Sequence, residues 1–411
     1  MNDHAEAAAD PRTFPRFTLP IVLSTVALDA LGFGIVVPVV PTLVMQLGHL
    51  SAAKASFTMG MLLAAFSVMQ FLCAPLLGAI SDRFGRRPVL IAALGGMGVN
   101  YLLLAWAPSL AWLFLGRVIA GATAASYSTA TACIADVTPR NLRAQRFGLV
   151  GAMFGLGFVA GPALGGLLGS WGIRLPFILS AVLAGANCLF ATIALPETLD
   201  HAVRRPIRFS EANPLGSMRV LGADRDYRLL AVAWCCTWFA LGILQSTFVL
   251  ANDLRLHWSL EQNGLALAVV GIGSALVQGL LVRRLVPWLG ERRAALIGYS
   301  LSGIAYIAFA LAVDPAILFV GIVVQSFGAI SGPAVQSMIS SRAAADYQGS
   351  IQGALASVQG LIAIVAPLAG GWIFSVFANP ATTPYFPGAP YVMAAAAYLV
   401  AVVSVASVRS R

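Results

Sequence analysis

Two charged residues stand where charge is hardest to place. Asp29 lies in Leu28-Asp29-Ala30-Leu31-Gly32-Phe33-Gly34, and Arg117 in Leu115-Gly116-Arg117-Val118-Ile119-Ala120-Gly121. An intramembrane charge is costly and by default marks function; a carboxylate there is suited to taking up and releasing a proton. The competing assignments are a structural carboxyl that bonds a neighbouring helix and an arginine that snorkels to a surface about two turns away. Asp29 is about ten residues, roughly 15 Å, from either end of its apolar run, the only acid so placed.

A second constellation is Gly78-Ala79-Ile80-Ser81-Asp82-Arg83-Phe84-Gly85-Arg86-Arg87-Pro88, set between two apolar runs. Gly78 and Gly85 permit close helix approach and positive φ, Pro88 suits the first turn of the next helix, and the arginines mark one membrane face. Asp82 directly after a helix end is more than topology requires. A third is Gly157-Phe158-Val159-Ala160-Gly161-Pro162-Ala163-Leu164-Gly165-Gly166, where a mid-helix proline flanked by glycines makes a bend with a flat face. Gln70, Asn100, Gln245, Gln278, Gln325 and Gln336 are candidate cavity residues or interhelical hydrogen-bonding groups, with Trp234, Trp238 and Phe239 as candidate cavity aromatics.

The elements that must position these residues follow from composition. The chain has 411 residues, 59% of them hydrophobic and 10% charged, with mean hydropathy +0.85. Soluble domains carry about 25% charged residues, so an all-α polytopic membrane protein is expected. Apolar runs near 17–39, 54–78, 88–107, 110–134, 146–169, 173–195, 228–251, 262–282, 294–312, 315–338, 349–376 and 390–408 predict twelve transmembrane helices. With both termini cytoplasmic, 21 of the 25 Lys and Arg fall inside, three outside (Lys54, Arg174, Arg255) and Arg117 within a span. The net charge of +9 therefore records topology and contact with lipid heads, and excludes nucleic acid as the partner.

Met1 to Arg16 has acids and no apolar core, which predicts no cleavable signal peptide. Cys73, Cys133, Cys188, Cys235 and Cys236 fall in apolar runs without metal or disulfide spacing, and His4, His49, His201 and His257 lie outside the spans or at their ends. The polar stretch 196–227 reads as a cytoplasmic linker between units at 1–195 and 228–411. The second half repeats the first: Val159-Ala160-Gly161-Pro162-Ala163-Leu164-Gly165-Gly166 is echoed at an offset of 205 by Ile364-Val365-Ala366-Pro367-Leu368-Ala369-Gly370-Gly371. Such a repeat predicts two pseudo-symmetric six-helix bundles about a midplane cavity. The same offset carries Asp29 to Trp234 and Arg117 to Ile322, so the scaffold repeats and the buried charges do not.

The charged turn, R-x-x-x-G in the fourth span and G-x-x-x-G-P-x-x-G-G in the fifth resemble the major facilitator superfamily. Within it nearly the whole chain is similar to the tetracycline/proton antiporters, through Leu28-Asp29-Ala30-Leu31-Gly32-Phe33-Gly34, Ile134-Ala135-Asp136-Val137-Thr138-Pro139 and Gly332-Pro333-Ala334-Val335-Gln336 among other stretches. The resemblance implies that Asp29 is the proton-linked acid and that Arg117 belongs to a motif implicated in proton transfer. It also implies that Gly78, Asp82, Arg83, Gly85, Arg86 and Asp136 form a gate and charge relay, and that the Gly157 to Gly166 motif favours export. Asp82 would face the N-terminus of the eleventh helix near Gly349. Where those exporters carry an acid, a histidine and an acid, this chain aligns Asn100, Ser274 and Ser302. A neutral or cationic amphipath exchanged for few protons is expected in place of tetracycline itself.

The expected activity is proton-coupled export of a small amphipathic organic compound by alternating access; the alternative is an importer of a nutrient, sugar or metal-carrier molecule on the same fold. A non-transporting receptor and an intramembrane enzyme are the remaining rivals. The spans carry no metal-ligand cluster, nucleophile motif or paired carboxylates, so no enzyme, no metal and no cofactor beyond the proton gradient are expected. A monomer in lipid is expected, and the resemblance implies a bacterial inner membrane.

Overall fold

A computed structural model describes residues 17–139, 142–200, 204, 224–342 and 348–409. Among these, twelve helices are long and apolar enough to cross a bilayer: α1 (Thr18–Val36), α2 (Ala52–Phe84), α3 (Arg86–Trp106), α4 (Leu110–Asp136), α5 (Gln145–Trp171) and α6 (Leu175–Ala194), then α7 (Arg225–Leu256), α8 (Leu260–Leu289), α9 (Glu291–Leu311), α10 (Pro315–Ser340), α11 (Ile351–Phe377) and α12 (Ala389–Ala406). Large apolar side chains point outward along them, among them Trp106, Ile193, Leu399 and Val403, each more than half exposed. A surface of that kind is stable only against lipid. The chain is a multi-pass membrane protein.

The expected number of spans is present, but several ends differ. At 33 residues α2 is about 50 Å long, well beyond the roughly 30 Å apolar layer, so its last turns project past the membrane. Asp82 and Arg83 therefore sit on a helix and not in a loop. The turn reduces to Gly85, at φ 111°, where a side chain would be strained. Gly290, its repeat partner before α9, has φ 79°. Most of the linker read at 196–227 lies outside the described residues.

The two halves pack alike. In the first, α1 packs on α5 and α6, and α3 on α4 and α6; in the second, α7 packs on α11 and α12, and α9 on α10 and α12. The halves meet through α2 against α11 and α5 against α8. Two interruptions recur at the repeat offset. Helix α4 breaks at Thr123–Ala125 and restarts at Ser126, and α10 breaks at Ala329–Ile330 and restarts at Ser331. Helix α1, unlike the continuous α7, stops at Val36 and resumes as a short helix over Val40–Gly48, with Pro38 and Pro41 across the joint.

Candidate functional site

The break in α4 builds the site. By restarting at Ser126, the helix brings that hydroxyl onto α1, where it donates to Asp29 Oδ2 at 2.6 Å. Discontinuous helices near the midplane are a recurrent way of making a transport site, because the loosened turn can offer polar groups. Thr25, one turn before Asp29, adds a buried hydroxyl without a protein partner. Thr25, Asp29, Ser126, Tyr127 and Phe154 line a small cleft.

Aromatic rings continue from that cleft. Tyr127 meets Phe154 edge-on at 5.6 Å, Phe154 stacks on Phe158 at 6.2 Å, and Phe158 stacks on Phe33 at 6.2 Å. Tyr127 is 47% exposed and Phe154 38%, so part of this wall is free to meet a ligand. In the other half, Trp234 occupies the position equivalent to Asp29 and lies edge-on to Trp238 at 6.0 Å. On α7, Ala233 and Ala240 carry carbonyls bound by tyrosines of α9, while Gly242 packs on Ala366 of α11. The remaining face carries Trp234, Trp238, Leu241 and Gln245, spaced for one helical stripe.

Arg117 is not the partner of Asp29. Its guanidinium donates to Asn100 Oδ1 at 2.8 Å, and at 9% exposure it does not snorkel to a surface. The same bond corrects the placement of Asn100, which is fully buried between α3 and α4 and does not line a cavity. Gln325 also turns inward on α10, its Oε1 buried without a protein partner. Gln245, Gln278 and Gln336 are exposed; Gln278 lies in a π-helical turn of α8, and Gln336 donates to Gln352 at 3.4 Å. Gln70 is half-buried on α2. Ser302 is buried within the second bundle, and Ser274 is half-buried on α8.

The charged turn is a closed network. Arg86 pairs with Asp82 at 2.5 Å and Asp136 at 3.2 Å, and donates to Ser81 Oγ at 3.2 Å. Two residues that sequence reasoning left in the linker complete it. Thr198 donates to Asp136 Oδ2 at 3.3 Å, and the Glu197 carboxylate accepts the backbone N–H groups of Arg86, Arg87 and Leu199 at 2.8, 3.2 and 2.9 Å. The start of α3 thus has its unsatisfied donors capped by a residue more than 100 positions away. Gly85 is required twice, for its φ and because a Cβ there would strike the Glu197 carboxylate. Arg83 is exposed over the Phe84 ring, outside the network. The contact expected near Gly349 falls on residues whose side chains lie outside the described set. Glu197→Gln keeps the size but weakens charge-assisted capping; a loss of about 1 kcal/mol is expected, read as a lowered Tm of the detergent-solubilised protein.

The α5 motif serves two neighbours. A Cβ on Gly157, Gly161 or Gly165 would strike α1 at Ala27, Gly34 or Ile35, whereas one on Gly166 would strike Leu260 and Gly264 of α8. Across the other junction, Gly60 meets Pro367 and Gly371 meets Ser56. All of these junction contacts lie in the membrane half away from Arg86. Toward the arginine-rich end, Gly78 on α2, Gly148, Gly151 and Gly155 on α5, Gly279 on α8 and Gly353 on α11 face open space. The bundles are closed at the far end and apart at the arginine-rich end.

Known proteins of similar sequence and structure agree with this architecture. The chain is 37% identical over 382 residues to "Tetracycline resistance protein, class C" of Escherichia coli, spanning 93% of this chain and 94% of that one. It is 36% identical to "Tetracycline resistance protein, class G" of Vibrio anguillarum, over 87% and 91% of the two chains. The crystal structure of the human organic anion transporter MFSD10 (TETRAN) superposes with a TM-score of 0.70 at 25% identity, covering 95% of this chain and 99% of that one. The sequence model of the Major Facilitator Superfamily matches residues 22–367 and, in a second match, 256–410. With its two six-helix bundles and a match across nearly its whole length, the chain belongs to the Major Facilitator Superfamily.

Proposed function

We propose that this protein is a proton-coupled antiporter that exports a small amphipathic organic compound by alternating access. One observation carries the proposal: the single mid-span carboxylate, Asp29, stands beside a partly exposed aromatic wall in a molecule whose bundles are apart at one end. The arginine-rich end is the cytoplasmic one by the distribution of charge, which makes this form open to the cytoplasm.

In that form Asp29 gives up its proton to the cytoplasm and is held by Ser126. A substrate enters between the bundles, lays an apolar or aromatic face on Tyr127 and Phe154, and offers a hydrogen-bond donor or cation toward the carboxylate. Trp234 and Trp238 supply a second aromatic surface from the other bundle. Rocking of the bundles then exposes the site outside, where protonation of Asp29 releases the substrate. The energy source is the proton gradient, with no bound cofactor. The relatives named for tetracycline resistance support drug efflux, while Asn100 buried on Arg117 and Ser302 buried in its own bundle favour a substrate other than tetracycline. A monomer in a bacterial inner membrane fits the same scheme. Transport and not catalysis is the activity, as befits the family.

The test is proton flux in everted vesicles energised to be acid inside. Amphipathic cations, neutral drugs and tetracycline are added in turn. Alkalinisation on adding a substrate is the expected result. Accumulation of substrate by intact cells, or binding without any proton flux, would overturn the proposal.

A further inference from the structure

We propose that Tyr101 is the proton-relay residue that loads Asp29 from the far, outward end of the transporter, an inference that rests on the antiport reading above. Tyr101 on α3 and Tyr306 on α9 are equivalent under the 205-residue repeat, and each is 1% exposed. Tyr306 has an evident structural role, since its hydroxyl donates to the Ala240 carbonyl of α7 at 3.0 Å. The Tyr101 hydroxyl points toward the equivalent helix, α1, yet has no protein partner there. A buried unpartnered hydroxyl costs about 1–3 kcal/mol, so a tyrosine kept where phenylalanine would fill the same space calls for a function.

Its surroundings supply one. A Cβ on Gly32 would stand 3.6 Å from Tyr101 Cε2 and 3.8 Å from its hydroxyl. Gly32 is three residues from Asp29, on the same face of α1, and lies on the side toward the closed end. Asn100, the preceding residue, holds Arg117, and Asn100 Nδ2 and Arg117 Nε are also buried without partners. Three free polar atoms thus form a layer on the outward side of the acid, while Ser126 and the cleft serve its other side. The titratable or charged groups around this layer are Asp29 on α1, Tyr101 on α3, and Arg117 and Tyr127 on α4. Arg174, just before α6, is engaged at the far end, bound to the Ala105 and Ala107 carbonyls.

The step balances. When the outward end is open, a hydronium ion of the outer medium gives a proton to Tyr101 Oη, leaving water, as the phenolic proton passes to the Asp29 carboxylate. One O–H bond forms on the phenol and one breaks, the tyrosine is left neutral, and Asp29 becomes a carboxylic acid. Phenylalanine can neither accept nor pass that proton.

The test compares Tyr101→Phe with Tyr306→Phe in proteoliposomes, reading uphill proton-driven transport and substrate counterflow, which needs no net proton movement. For Tyr101→Phe, uphill transport is expected to fall about tenfold or more while counterflow stays within about twofold. For Tyr306→Phe, Tm falls and the ratio of the two activities is unchanged. Unchanged uphill transport in Tyr101→Phe overturns the relay, whereas a wild type without proton coupling overturns the antiport reading. If Tyr101→Phe loses counterflow as well, 3-fluorotyrosine at position 101 decides: its more acidic hydroxyl should shift the external pH profile of uphill transport, and an unshifted profile rejects the relay.

Discussion

Asp29→Asn is expected to lower uphill, proton-driven transport by about a hundredfold or more while substrate counterflow persists. Asparagine has the same shape and its carbonyl oxygen can still accept from Ser126, so the aromatic wall and the break in α4 remain in place. It cannot exchange a proton within the cycle, and no second mid-span carboxylate exists to substitute for it. The measurement is transport into everted vesicles with and without a pH gradient, alongside counterflow at equal pH. Retained uphill accumulation would make Asp29 a structural carboxyl.

Gly165→Leu should have the largest effect on the fold. A Cβ at Gly165 already collides with the Ile35 carbonyl, so a leucine must push α1 away from α5, lengthening contacts along the whole junction. Overpacking of this kind costs about 3 kcal/mol or more when backbone blocks the added atoms. A marked drop in Tm and in the amount of folded protein in the membrane is expected. Gly151→Leu is the matching control, since its Cβ meets open space at the end where the bundles stand apart. It should fold normally but transport poorly, because the bundles must approach there when the inner side closes. Equal Tm values for the two variants would refute these roles of the α5 glycines.

The spans were legible because about 20 consecutive apolar residues have few other uses, and the repeat of Gly161-Pro162 as Ala366-Pro367 located the second bundle. The ends of α2 and α8 were less so, since past the bilayer a helix is held by specific partners and not by hydropathy. Asp29 could be singled out from its position alone. Its partner could not: the α4 break at Thr123–Ala125 has no proline to announce it, and it is this break that presents Ser126. Glu197 and Thr198 were hidden for a related reason. They follow Pro196 in a polar stretch that reads as linker, and only the folded chain brings them to the start of α3. The pairing of Arg117 with Asn100 is a three-dimensional choice between two polar neighbours that spacing along the chain does not make.

Trp234 in the place equivalent to Asp29 also sets an energetic ceiling. If Asp29 alone carries the coupling, as proposed, one proton moves per cycle, and a proton falling through 100 mV releases about 2.3 kcal/mol. A neutral substrate can then be driven to a concentration ratio of roughly fifty, at about 1.4 kcal/mol per tenfold. A singly charged cation fares differently, because one positive charge leaves as one enters and the membrane voltage does no work. Its export would run on the pH difference alone, and would stall in medium as alkaline as the cytoplasm.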